Sequence, residues 1–138
     1  PRSTPKPSSA ASDVYKRQVL ALPLTEKTRN LFSRKVFSCM EKKPFFINVG
    51  RGELVNDSDL LQSIDDELLS GAVLDVFDEE PLSSDSPLWF HDKVIVTPHI
   101  SGLTRDYMRK VCNVFAENWE LWNEGKVLGR KVDRSSGY

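Results

Sequence analysis

Cysteine is scarce in this sequence, and long apolar runs are absent. Only two of the 138 residues are cysteines, Cys39 and Cys112, and they lie far apart without the spacing of a metal site. We therefore expect reduced thiols in a cytoplasmic compartment and no metal centre. No run approaches the roughly 20 apolar residues that cross a bilayer, and the amino terminus has no apolar segment of the secretory type. The resulting prediction is a soluble cytoplasmic protein.

An excess of charge of one sign is lacking too. The sequence has 19 lysine and arginine residues against 20 aspartate and glutamate residues, which gives a formal net charge of −1. Because both signs are mixed along the chain, no long-range field would attract nucleic acid or an anionic membrane, and we expect neither as a partner. With 39% hydrophobic and 28% charged residues, the chain has the composition and length of one globular domain.

Apolar side chains are nearly absent from residues 1–18. This segment, PRSTPKPSSAASDVYKRQ, is rich in proline, serine and basic residues, a composition typical of disorder. At Val19 it gives way abruptly to VLALPLT, a buried-strand pattern closed by proline. The string SDVYKRQ also resembles an artefact that recurs at broken ends of translated transcripts. We interpret residues 1–18 as a disordered or artefactual leader and base no functional interpretation on them.

Four short β-rich runs alternate with helical patterns in the rest of the chain, which predicts an α/β fold with a parallel sheet and crossover helices. The predicted strands cover residues 19–22, 45–49, 72–76 and 94–97. The predicted helices cover residues 28–40 and 57–69, the second capped by Asn56. Polar or Gly/Pro residues follow each strand, at the end where ligands bind to such sheets.

A long amphipathic helix is predicted over residues 104–122. Apolar side chains recur there at steps of three and four, at Met108, Val111, Cys112, Phe115, Trp119 and Trp122. We interpret this stripe as core, packed against another element such as a domain outside this chain.

The first polar cluster, INVGRGE, follows the second predicted strand. Small residues before Arg51 let the backbone approach a flat ligand closely, and the guanidinium offers a planar fork to a carboxylate. Taken alone, an arginine at a strand end is more often solvated or structurally paired.

The second cluster, LDVFDEEPL, places Asp75 within an otherwise apolar strand. A buried carboxylate needs a partner. An amide ligand, such as the carboxamide of a nicotinamide, and a backbone or arginine contact are both compatible with this position. Glu79 and Glu80 precede Pro81 in the loop that follows, where they could also be ordinary surface charges.

The third cluster, VIVTPHISG, carries His99 just past the fourth predicted strand. Histidine can donate a proton near neutral pH. The other histidine, His91, lies in the polar stretch WFHDK, and we expect it at the surface. His99 is therefore the candidate acid.

In combination, these motifs resemble those of the D-2-hydroxyacid dehydrogenases, which share LPLT, INVGRG, LDVFDEEPL and VTPHISG in this order. The similarity runs from about Val19 to Gly102, and the closing GRKVDRSSGY resembles the glyoxylate/hydroxypyruvate reductase branch. The resemblance implies that residues 19–103 are the carboxy-terminal half of a Rossmann-type dinucleotide-binding domain. Residues 104–138 would then be the long helix and a tail that return towards a substrate domain outside this chain.

The resemblance also implies an activity, namely reduction of a small 2-oxo acid to the D-2-hydroxy acid with hydride from NADPH or NADH, of which NADPH is favoured. Arg51 would bind the substrate carboxylate, His99 would protonate the carbonyl oxygen, and Glu80 would keep His99 protonated. The implied cofactor contacts are Leu22, Pro23, Val49, Gly50, Arg51, Asp75, His99 and Gly102. No GxGxxG turn or ribose selector is present, so we expect this fragment to be inactive alone. The resemblance also implies that the full-length protein is a homodimer.

Other functions share part of this pattern. Some relatives of these dehydrogenases resemble dinucleotide-binding corepressors that recruit partners. Formate dehydrogenases are expected to carry glutamine where this chain has Glu80. Phosphoglycerate dehydrogenases remain an alternative, and many of them carry additional regulatory sequence. The sequence leaves the exact 2-oxo acid and the choice between NAD and NADP open.

Overall fold

The computed structural model describes residues 17–129 and 131–132. This chain divides into two compact units, one that ends at His99 and one that begins at Ile100. Residues 1–16 of the predicted leader and the closing residues 133–138 lie outside the described residues.

The first unit is built on a four-stranded parallel sheet in the order β1-β2-β3-β4. The strands are β1 (Arg17–Leu20), β2 (Phe45–Asn48), β3 (Gly71–Leu74) and β4 (Val94–Val96). The predicted α/β fold with a parallel sheet is confirmed. The last residues of the four strands pair in one row, Leu20 with Asn48, Asn48 with Leu74, and Leu74 with Val96. All four carboxyl ends therefore meet at one level of the sheet edge.

Strand β1 begins two residues before the predicted start and takes in Arg17 and Gln18, which sequence analysis had assigned to the leader. Its register with β2 explains the shift, since Val49 N–H still bonds to Leu20 O at 3.0 Å. Beyond Leu20 the chain leaves the sheet. Pro23 and Thr25 of LPLT thus belong to the loop rather than to the strand.

The predicted helix over residues 28–40 is wrong for most of its length, because only α1 (Arg34–Phe37) is helical there. Side-chain and tertiary hydrogen bonds compete with helix formation. Thr28 Oγ1 donates to Pro23 O at 2.9 Å, and Phe32 N–H donates to Leu54 O at 2.9 Å. The backbone of this segment is thereby tied to the loop after β2.

Helix α2 (Asp57–Asp65) starts where predicted, and its cap is confirmed because the Asn56 side chain accepts the Asp59 N–H at 3.0 Å. It ends four residues early. Glu67 takes a left-handed conformation with φ of 57°, and Leu69 N–H returns to Ser63 O at 3.1 Å. Short 3₁₀ helices occupy Gly52–Leu54 and Pro87–Trp89.

A core of aliphatic and aromatic side chains lies between the sheet and these helices. Phe37 and Phe46 are fully buried and meet edge to face, with ring centroids 5.2 Å apart. The other buried members include Leu20, Leu54, Leu60, Ile64, Leu69, Leu74 and Leu88. Leu20 and Leu74, the last residues of β1 and β3, belong to this core, so the core extends to the strand ends.

The second unit contains α3 (Tyr107–Asn123), close to the predicted range. Its apolar stripe is not core within the described part of the chain, because no residue of α3 is buried and Phe115 and Trp122 are 67% and 68% exposed. Such a stripe is buried only where a second element covers it. None of the helices in the described residues has the length and apolar character needed to cross a bilayer.

The loop after β2 and the loop after β3 touch through Gly52. A Cβ built on Gly52 would lie 1.9 Å from the carbonyl carbon of Phe77 and 2.2 Å from the backbone nitrogen of Asp78. These are backbone atoms, so no side-chain rotation can relieve the overlap. Glycine at this position is what allows the two loops to pack together.

We predict that Gly52→Ala destabilises the chain by about 1–3 kcal/mol, because the added methyl group forces the two backbones apart. The lower entropy of alanine in the unfolded chain offsets less than about 1 kcal/mol of this. Urea unfolding followed by circular dichroism measures the difference. Gly129→Ala is the matched control, since nothing lies within 4 Å of its Cβ position. Equal unfolding midpoints for the two variants would show that the close contact is not present.

Candidate active site

The turn after β2 is shaped by a buried asparagine. Asn48 is 1% exposed; its Oδ1 accepts the Gly50 N–H at 3.1 Å, and its Nδ2 donates to Arg51 O at 3.0 Å. Arg51 Nη1 in turn donates to Gly50 O at 2.7 Å. Asn48 thus holds both flanks of the turn that carries Arg51. Sequence analysis missed this residue, although a polar amide that ends an apolar strand was a usable signal.

Leu22 and Gly50, two of the predicted cofactor contacts, lie close together in the loops that follow β1 and β2. A Cβ on Gly50 would lie 3.0 Å from Leu22 O and 3.4 Å from Leu22 N, so the backbones of the two loops are in close approach. Val49 sits beside them through its bond to Leu20 O. Pro23 is exposed and accepts the Thr28 hydroxyl.

Asp75 lies just past β3 and is 2% exposed. Its N–H donates to Asn48 O at 3.0 Å, and its Oδ1 accepts a hydrogen bond from the hydroxyl of Thr97. A hydroxyl was neither of the partners considered from the sequence, which were an amide ligand and a backbone or arginine contact. Thr97 is therefore a second residue that sequence analysis missed.

Glu80 and His99 form a direct pair. His99 Nδ1 lies 2.7 Å from Glu80 Oε2, and Glu80 Oε1 accepts the Phe77 N–H at 3.0 Å. The Glu80–Pro81 peptide bond is cis. With both oxygens engaged, the carboxylate is fixed against the ring, and Nε2 is the histidine nitrogen left for a reaction partner.

His99 has a left-handed backbone conformation with φ of 52°. Its N–H donates to Thr97 O at 3.0 Å, which closes a tight turn directly after β4. Histidine is one of the few residues enriched in this region, although the conformation is uncommon and clusters at functional sites. The turn, together with Glu80, directs the imidazole towards the edge where the strands end.

The electrostatics of the pair favour an ionised carboxylate. The hydrogen bond from His99 lowers the pKa of Glu80 below its ordinary value of 4.5, and the Phe77 N–H and the positive charges of His99 and Arg51 act in the same direction. Arg51 is therefore within electrostatic reach of Glu80. Arg51 and His99, two of the predicted site residues, therefore both act electrostatically on a third, Glu80.

The remaining predicted residues are placed less directly. His91 precedes β4, so it lies at the opposite end of that strand from His99. Its side chain is 19% exposed, and it bonds to Oδ1 of the exposed Asp65 at 3.2 Å. Gly102 belongs to the second unit. Within the described residues, no group of three or more potential ligand side chains is arranged to hold a metal ion.

This chain is similar to known proteins in sequence and in fold. The D-isomer specific 2-hydroxyacid dehydrogenase family, NAD binding domain, matches residues 10–101, more than half of the chain and including residues 10–18 of the predicted leader. Glyoxylate/hydroxypyruvate reductase A of Klebsiella pneumoniae is 34% identical over 117 residues, which cover 85% of this chain and 37% of that protein.

Two solved structures extend the comparison. NADPH-dependent glyoxylate/hydroxypyruvate reductase from Sinorhizobium meliloti, in complex with NADP and sulfate, is 31% identical with a TM-score of 0.83 over 100% of this chain and 48% of that one. Phosphoglycerate dehydrogenase from Lactobacillus plantarum is 39% identical with a TM-score of 0.66 over 91% of this chain and 42% of that one. The chain spans less than half the length of these relatives.

The parallel sheet, the motifs at its carboxyl edge and the extent of the family match lead to one conclusion: this chain belongs to the D-isomer specific 2-hydroxyacid dehydrogenase family, in the part that forms the NAD-binding domain.

Proposed function

We propose that the longer protein represented by this chain is an NAD(P)-dependent dehydrogenase that reduces a small 2-oxo acid of the glyoxylate or hydroxypyruvate type. The observation that carries this proposal is the 2.7 Å contact between His99 and Glu80, with the charge of Arg51 acting on the same carboxylate. The names of the reductase relatives support the substrate class.

In this proposal His99 is the general acid. Reduction of a 2-oxo acid leaves negative charge on the carbonyl oxygen, and an imidazolium beside that oxygen supplies the proton and stabilises the charge. Glu80 holds Nδ1, so the proton leaves from Nε2 and the electron pair of the N–H bond stays on the ring. The ring is then neutral and regains its proton from solvent. Glu80 remains an anion throughout.

Arg51 is the proposed binding group for the substrate carboxylate. Its guanidinium can form two parallel hydrogen bonds with a carboxylate, which fixes the direction of the adjoining keto group. Asn48 supports this role because it holds the backbone on both sides of Arg51. The substrate would then lie between Arg51 and His99.

The described residues fit the nicotinamide end of a dinucleotide. Gly50 leaves the edge next to Leu22 without a side chain, and Asp75 presents a carboxylate that an amide group could contact. When bound, NADPH or NADH supplies the hydride for the carbonyl carbon. Val49, Pro23 and Gly102 are the further proposed contacts, and NADPH is the favoured cofactor because the reductase from Sinorhizobium meliloti is NADPH-dependent.

We propose in addition that the full-length protein is a cytoplasmic homodimer and that the 138-residue fragment alone has no dehydrogenase activity. Phosphoglycerate dehydrogenase is the second candidate function, supported by the 39% identity to the Lactobacillus plantarum protein. Glu80 favours these enzymes over formate dehydrogenase. A corepressor-like scaffold would bind dinucleotide without needing turnover.

Steady-state kinetics of the full-length enzyme test this function. We expect reduction of glyoxylate or hydroxypyruvate in preference to phosphohydroxypyruvate, and His99→Gln should lower kcat by roughly 10²- to 10⁴-fold because the proton donor is lost. His91→Gln is the matched control, since that ring is bonded to Asp65 at the other end of β4, and it should retain kcat.

Three results would argue against the proposal: unchanged kcat in His99→Gln, the same loss in both histidine variants, or no turnover of any 2-oxo acid with either cofactor. Preference for phosphohydroxypyruvate would favour the second candidate. The 138-residue chain is the negative control, and turnover by it at ordinary enzyme rates would disprove the predicted inactivity of the fragment.

A pH dependence follows from the lowered pKa of Glu80. The folded chain binds fewer protons at this site than the unfolded chain, so the Glu80 contribution to stability is complete above about pH 4.5 and is lost as the pH falls through the lower folded pKa. The contribution should be small, because Glu80 and His99 are 37% and 47% exposed and water screens the pair.

We therefore expect the urea midpoint of the wild-type chain to exceed that of Glu80→Gln above pH 4.5, and the difference to shrink in more acidic buffer. Urea titrations at a series of pH values measure it. Glu79→Gln, at the exposed neighbouring position, is the control for removal of one carboxylate from this loop. A difference that stayed constant down to about pH 3 would rule out linkage to the Glu80 carboxylate.

A further inference from the structure

Thr97 lies one residue past β4, and all of its polar groups are used. Its N–H donates to Leu74 O at 2.9 Å, which extends the pairing of β3 and β4. Its hydroxyl donates to Asp75 Oδ1. Its carbonyl oxygen accepts the His99 N–H at 3.0 Å. A single residue thus connects the sheet to both a buried carboxylate and the candidate acid.

The hydroxyl bond constrains how the Asp75 carboxylate can turn. Asp75 is 2% exposed, so water competes little for its oxygens, and hydrogen bonds in such surroundings are strong. The backbone beside it is fixed too, because Asp75 N–H donates to Asn48 O at 3.0 Å. A carboxylate has about four acceptor sites, so it can accept from a ligand as well as from donors of the protein.

The carbonyl bond places His99 relative to the same residue. With φ of 52°, His99 occupies a conformation that few residues adopt unless the surroundings hold it. Thr97 O and Glu80 Oε2 hold it from two sides. Thr97 therefore contacts both the Asp75 carboxylate and the backbone of His99, with only Pro98 between Thr97 and His99 in the chain.

We propose that Thr97 is a positioning residue, whose hydroxyl orients the Asp75 carboxylate to accept the amide N–H of a nicotinamide cofactor while its carbonyl group places His99 against the reacting carbonyl. This inference rests on the proposed dehydrogenase function. It assigns a determinant of cofactor recognition to a residue that touches neither hydride donor nor substrate.

Such a role makes a selective prediction about the cofactor. The carboxamide of NADP has an N–H donor for Asp75, whereas the 3-acetylpyridine analogue of NADP carries a methyl ketone there and has none. Loss of the Thr97 hydroxyl should therefore weaken recognition of NADP and affect the analogue little. A general distortion of the sheet edge would weaken the recognition of NADP and of its analogue equally.

The test uses the full-length enzyme in the oxidising direction, with the D-2-hydroxy acid and either NADP or its acetylpyridine analogue, or with the NAD pair if the enzyme prefers NAD. Thr97→Val keeps the β-branched shape and removes the hydroxyl. We expect it to raise the KM for the natural cofactor by roughly three- to tenfold, with a smaller change for the analogue and with kcat retained. Thr97→Ser restores the hydroxyl and should restore the KM.

A double-mutant cycle separates action through Asp75 from a general structural effect. In an Asp75→Asn background, Thr97→Val should add little to the KM for the natural cofactor. Equal increases in KM for both cofactors, full additivity with Asp75→Asn, or failure of Thr97→Ser to restore the KM would each overturn the role of Thr97. If the unmodified enzyme converts no 2-hydroxy or 2-oxo acid, the proposed dehydrogenase function is wrong. This outcome is seen with the unmodified enzyme alone, so it is distinguishable from a failure of the Thr97 role.

Discussion

The in-register ending of four parallel strands is the constraint on which the site depends. Leu20, Asn48, Leu74 and Val96 lie in one row across the sheet, so the loops that follow them leave the fold at the same level. Residues that are far apart in the sequence can then contact each other even when their side chains are short. The 2.7 Å contact between His99 and a residue 19 positions earlier is one result.

The loops at this edge are held by backbone contacts as much as by side chains. Asn48 fixes the turn of Arg51, Gly52 admits the backbone of the loop after β3, and Thr97 ties the loop after β4 to Asp75. Preorganisation of this kind keeps charged groups in place without reorganisation during a reaction. A substitution at one of these positions should therefore act on groups that it does not touch.

Much of the fold and of the candidate site was predictable from the sequence, because hydrophobic alternation and turn residues indicate local structure. All four strands and the Glu80–His99 region were located from the motifs. The helix expected over residues 28–40 was wrong, since its backbone pairs with a loop more than 20 residues away, as in the bond from Phe32 to Leu54. The burial of α3 could not be predicted either, because burial depends on what covers a stripe. The partner of Asp75 could not be predicted either, because Thr97 is 22 positions away in the sequence and contacts Asp75 only in the folded chain.

We expect one small 2-oxo acid to be held between the Arg51 guanidinium and the His99 imidazole at the sheet edge. A crystal structure of the full-length protein with its oxidised cofactor and oxamate, an unreactive analogue of a 2-oxo acid, tests it most directly. We expect the oxamate carboxylate to bind the Arg51 guanidinium and the oxamate amide oxygen to lie within about 3.2 Å of His99 Nε2. Oxamate bound away from both side chains, with the cofactor in place, would contradict it.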